Sequence, residues 1–219
     1  MPFPDELLLI KTSGKEELGA GGYTPRNGII LTHVEDRPEK DKYSLGLLAH
    51  ELFHVLSRQS PEFRDALYAL AGFFPCSSSP IPAAVEVTRI TNPDAFSLGH
   101  CILLARNDAP EEPKSKGLPV LRIGSTLQEA LAEKNWFRAL EIHLLRTEDD
   151  KPDVWLAKDT DFQDRLSKNT HYSIHAEEML ADNFALWVRS LAKSAKDVSD
   201  PVFLERFSKT LRNFTPSTP

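Results

Sequence analysis

The sequence predicts an α+β fold with a small β-sheet and two helices that matter most. Three observations predict it. Two short β-prone apolar segments open the chain, residues 45–58 are apolar around nearly the whole helical circumference, and the last third repeats apolar residues at helical spacing. At 219 residues the chain can close one full hydrophobic core without needing a second, so a single domain over 1–219 is expected, with a frayed tail from about 213.

Taken in order, "ELLLIKT" (6–12) and "IILTHV" (29–34) read as strands joined by the turn-rich "GAGGYTPRNG" (19–28), which suggests an early hairpin. After the polar "EDRPEKDK", Ser44 is a reasonable N-cap for a helix reaching about Arg58. Ser60 and Pro61 then start a second helix, "SPEFRDALYALAGFF". From 75 to 110, Pro, Ser and Asn dominate, so loops with short extended pieces are expected there. "LPVLRI", "FRALEIHLLR" and "DVWLA" read as extended segments, although 127–145 fits one helix equally well. "HAEEMLADNFALWVRSLAKS" and, after Pro201, "PVFLERFSKTLRN" read as helices.

Composition excludes several classes of function. Apolar residues at 41% and charged residues at 26% suit a folded globular chain, and a net charge of −6 with mixed signs offers no basic surface for nucleic acid or anionic lipid. No apolar run approaches the roughly 20 residues a bilayer span needs, and the start lacks the pattern of a signal peptide, so a cytoplasmic location is expected. Cys76 and Cys101 are too few for a disulfide framework or a thiolate zinc site and read as two buried thiols.

The chemistry sits inside the first helix, "LGLLAHELFHVLSR". Leu45, Leu47, Leu48, Ala49, Leu52, Phe53, Val55 and Leu56 leave hardly any arc for solvent, yet His50, Glu51 and His54 occupy its middle. Burying such groups without partners costs about 1–3 kcal/mol each. Residues four apart project alike from adjacent turns, so His50 and His54 can direct two imidazole nitrogens at one metal ion. In "HYSIHAEEMLADNFALW" (171–187), Glu178 and Asp182 repeat the pattern of four-apart polar residues on an otherwise apolar helix.

"HELFH" followed by Glu-x-x-x-Asp resembles the zincin metallopeptidases, in particular their glutamate branch, the gluzincins. The resemblance implies that His50, His54 and Glu178 hold Zn2+, that Glu51 is general base on the metal's water, and that Asp182 orients His50 through its other ring N–H. It also implies an oxyanion donor just before Glu178, filled by Tyr172 or by His171; alternatively Tyr172 packs and His175 caps the helix. Glu177, which has Ala181 rather than an acid one turn on, reads as a solvated first-turn residue. Rival third ligands are Asp94, His100 and His143, and no role is derived for His33. A peptide or protein substrate lying along an edge strand, with "IILTHV" as that edge, completes the expectation, against the alternative of a noncatalytic zinc-binding interaction protein.

Overall fold

The computed structural model describes residues 1–15, 20–32, 41–76, 81–95, 98–124, 127–132, 136–146, 153–172, 174–193 and 198–215; His33 and the tail beyond 215 lie outside these. The fold is mixed α+β and the chain divides into two compact units. Unit 1 gathers 1–71, 93–95 and 167–219, and unit 2 comprises 72–92 and 96–166.

Among the described residues, unit 1 contains strands β1 (Leu8–Thr12), β2 (Gly22–Tyr23) and β3 (Gly28–Thr32) and four α-helices. These are α1 (Asp41–Gln59) and α2 (Pro61–Tyr68) near its start, with α6 (Ala176–Leu191) and α7 (Pro201–Asn213) at its end. The sheet order is β1-β3-β2. β1 runs parallel to β3, with Ile10 opposite Ile30, while β2 returns antiparallel to it, with Tyr23 opposite Ile30. Two expectations are corrected here. The hairpin joins β2 to β3, not β1 to β3, and the segment beginning at Ile29 forms the central strand, not an edge. Burial separates two strands of similar composition: Ile29 is fully buried, whereas Leu8, Leu9 and Ile10 are all exposed.

Helix α1 begins at Asp41, so Ser44 lies inside it rather than at its N-cap. α2 starts as its sequence suggests, with Pro61 in the first turn and the Ser60 hydroxyl accepting the Phe63 N–H at 3.3 Å. Phe53 of α1 packs its ring against Phe63 of α2, Phe184 of α6 and Phe207 of α7, with centroids 5.8–6.4 Å apart. All four rings are buried, so this cluster is the knot that fixes the helices around His54, the next residue along. Phe53→Ala is expected to cost about 3–5 kcal/mol, read as a fall in the denaturant midpoint at unchanged slope.

Unit 2 is an antiparallel meander of β4 (Phe73–Pro75), β5 (His100–Leu104), β6 (Ser115–Ile123), β7 (Leu140–Arg146) and β8 (Val154–Leu156), hydrogen-bonded in that order. Among the described residues it also carries three short α-helices, α3 (Ala83–Glu86), α4 (Leu127–Ala132) and α5 (Phe162–Arg165). The ambiguous stretch 127–145 therefore resolves into a short helix and then a strand, not one helix. Cys76 and Cys101 are joined in a disulfide, which corrects the expectation of two thiols. The ladder explains the bond: Phe74 pairs with Cys101, and the Cys76 N–H donates to the Gly99 carbonyl at 2.9 Å, bringing two distant cysteines side by side. Among the described residues no helix is long and apolar enough to cross a membrane.

Candidate metal centre

Helices α1 and α6 pack side by side in opposite directions, so that rising numbers on one meet falling numbers on the other: His50 meets Asp182 and His54 meets Glu177 and Glu178. His50 Nε2 lies 3.1 Å from Glu178 Oε2, and His54 Nε2 lies 3.8 Å from the same oxygen. Ligand atoms of His50, His54 and Glu178 fall within 4.8 Å of one another. Donors about 2.1 Å from a tetrahedral zinc stand about 3.4 Å apart, so this set needs only small adjustment to hold one.

Each imidazole is held from behind by its own carboxylate. His50 Nδ1 meets Asp182 Oδ1 at 2.8 Å, and His54 Nδ1 meets Glu177 Oε1 at 3.1 Å. A carboxylate only accepts, so both Nδ1 atoms carry hydrogen and both Nε2 atoms face Glu178. His54 Nε2 is buried without a hydrogen-bond partner, and a divalent cation would satisfy it. Burial pulls the His50 pKa down, but Asp182 and Glu178 outweigh it and raise it well above 6.5. The same contest raises His54, with Glu178 and Glu177 overcoming burial. The acidic surroundings thus favour positive charge here, whether a proton or a cation supplies it.

Glu177 corrects the expectation of a solvated residue, being 3% exposed. Its Oε2 accepts the Tyr68 phenol at 2.6 Å and the Ser57 hydroxyl at 2.8 Å while Oε1 holds His54. Glu177 lacks an acid one turn on, but its partners lie on α1 and α2, out of reach of an argument made within α6. Removing it in Glu177→Ala is expected to weaken metal affinity by about 10–100-fold, read by competition with a chromophoric chelator. His175 caps α6, its Nδ1 accepting the Glu177 N–H at 3.0 Å. That start places Glu177 and Glu178 at the positive end of the helix dipole.

Glu51, 2% exposed, lies beside the candidate ligand His54. Burial pushes its carboxyl up to about 7, against the opposing pull of His54 and His50. Its Oε2 accepts the hydroxyl of Thr24 at 2.7 Å, and the Thr24 N–H donates to Asp94 Oδ1 at 2.6 Å. Asp94, one of the rival ligands, therefore lies at this site; its carboxylate, Glu51 and His54 form a second group with ligand atoms within 4.8 Å of one another. His100 and His143 belong to unit 2, where His143 Nε2 meets Glu141 Oε2 at 3.1 Å.

The ring of Tyr172 lies 6.4 Å from that of His50, and burial followed by Glu178, Asp94 and Asp182 raises its pKa, so the phenol keeps its proton at neutral pH. His171, its neighbour, is exposed. Thr170 ties Tyr172 to the centre: its hydroxyl bonds Asp182 Oδ2 and accepts the Tyr172 N–H at 2.9 Å. Thr24, Ser57, Tyr68 and Thr170 carry no signal in the sequence, because single hydroxyl-bearing side chains in loops and helices follow no period. No protein-family model, curated protein or solved structure matches the chain.

Proposed function

We propose that the chain is a zinc-dependent peptidase of the zincin kind, gluzincin-like in its ligand set, with His50, His54 and Glu178 as metal ligands. The observation that carries this reading is a buried base, Glu51, beside three convergent ligand atoms, each imidazole anchored by a separate acid. A structural metal site needs ligands and no base, which weighs against a noncatalytic zinc-binding role.

Zinc bound there would supply a water acidified to a pKa of about 7 and a Lewis acid for the scissile carbonyl. Glu51 takes the proton from the attacking water and passes it to the leaving amine. Tyr172 donates its phenolic hydrogen to the oxygen that gains charge. Asp182 and Glu177 fix the tautomers of His50 and His54, so neither ring turns during the reaction. The substrate is a peptide or protein in extended form, and the outer edge of β2 is the strand we assign to it, since Thr24, the residue after β2, contacts Glu51. Nucleic acid and membrane are not among the proposed partners.

The test begins with metal analysis of protein purified without added metal. Stoichiometric zinc is expected, together with cleavage in a mixed peptide library that chelator abolishes and zinc restores. A folded chain that takes up no zinc at neutral pH ends this reading. A cytoplasmic setting goes with two thiols, whereas oxidising compartments keep the Cys76–Cys101 bond. Alkylation of the chain taken from its own cells without reductant reads which form it lives in.

A further inference from the structure

Glu51 is one residue beyond His50 and three before His54 on α1, so it leaves the helix about 100° round from the first and about 60° from the second, on neither residue's line. A general base must still hold one oxygen within hydrogen-bond reach of the water it deprotonates. Something outside α1 has to orient it. The segment Gly22–Thr24, in unit 1 with α1, borders both carboxylate oxygens: Thr24 bonds Oε2, and Oε1 lies where a side chain at position 22 would have to go.

Thr24 is fully buried and its hydroxyl meets Glu51 Oε2 at 2.7 Å and the Glu51 carbonyl at 3.2 Å. A hydroxyl has a single hydrogen, and the shorter, charge-assisted contact to Oε2 takes it. Thr24 is itself pinned by its N–H on Asp94 Oδ1 at 2.6 Å, and branching at Cβ narrows its choice of rotamer. The other oxygen borders Gly22, where a Cβ would stand 2.8 Å from Oε1 and 3.1 Å from the Ile30 carbonyl. That carbonyl is backbone of the central strand and does not yield, so a side chain at 22 would have to displace the carboxylate.

We propose that Gly22 and Thr24 form a clamp that selects the working oxygen of Glu51: the Thr24 hydroxyl engages Oε2, and the missing side chain at Gly22 leaves room for Oε1, the oxygen assigned to the reacting water. Thr24 is thus a positioning residue, and Asp94 acts through it. The idea rests on the peptidase reading for its catalytic consequence, but the clamp itself is testable without turnover.

Thr24→Val keeps the shape and removes the donor. In an active parent it is expected to lower kcat by about 10–100-fold, the cost of a base displaced by a fraction of an ångström, with KM and zinc content unchanged. Thr24→Ser is expected to return kcat to within about threefold, and Gly22→Ala to lower it even with Thr24 intact. Thr24→Val within twofold of the parent, or a Ser variant as poor as Val, would overturn the clamp. Separately, Thr24→Val and Glu51→Ala are combined in a double-mutant cycle of melting temperatures. Coupled shifts are expected; additive ones reject the contact whether or not the chain cleaves anything. A parent that cleaves nothing while the cycle stays coupled instead counts against the peptidase reading and leaves the clamp standing. Thr24→Ala supplies the same cycle if the Val variant does not fold.

Discussion

Glu51→Gln is expected to keep its zinc and to lose about 10²- to 10⁴-fold in kcat/KM, the range that a positioned general base contributes. The substitution changes no heavy-atom outline, and the amide oxygen still accepts the Thr24 hydroxyl, so packing and the proposed ligands His50, His54 and Glu178 are undisturbed. What disappears is the capacity to take a proton. The parent's pH profile should carry the same signature. Burial holds the Glu51 carboxyl near 7, and a cation beside it favours the ionised form, so the acidic limb of kcat/KM should fall at or below pH 7. Metal content by mass spectrometry and cleavage of the best library peptide check both statements. A Gln variant with parental turnover removes Glu51 from the mechanism.

The chain stripped of metal is expected to lose stability as pH rises from about 5 to 8, and zinc to reverse the trend. Glu51 has a folded pKa raised from 4.5 to about 7, so its contribution is intact below 4.5 and is lost as pH climbs through 7. At 1.36 kcal/mol per unit that amounts to about 3 kcal/mol. His50 and His54 are raised too, so the stability they contribute is complete below 6.5 and disappears as pH rises through their folded values. All three act in the same direction. Zinc needs both imidazoles deprotonated, so its affinity grows over the same interval, and at 1,000 times its dissociation constant it adds about 4 kcal/mol. Melting temperatures with chelator and with zinc should diverge steadily between pH 5 and 8. A gap that stays constant or closes over that interval contradicts the ligand set.

Both helices that bear candidate ligands were legible in the sequence for one reason: each sets polar residues four apart within apolar surroundings, a pattern that local periodicity carries. The arrangement of β1, β2 and β3 was not, because "ELLLIK" and "IILT" are alike in composition and differ only in what lies over them. Glu177 was misjudged by the same one-helix logic that found Glu178; its donors, Ser57 and Tyr68, come from other helices. The Cys76–Cys101 bond depends on the pairing of β4 with β5, which no spacing of two cysteines encodes. Thr24 lay in a stretch whose glycines read as turns, whereas at Gly22 a Cβ would stand only 2.8 Å from Glu51 Oε1.

Along the sequence, the strands of unit 2 come after the two histidines and before the glutamate that would share their ion. On the ribosome, α1 therefore emerges long before α6, by on the order of ten seconds at ordinary elongation rates. Through that interval the nascent polypeptide carries His50, Glu51 and His54 without Glu178, so on the proposed reading its metal site is incomplete. If the chain is a peptidase, its activity waits for the final helices to be synthesised, a delay set by the order of elements along the chain.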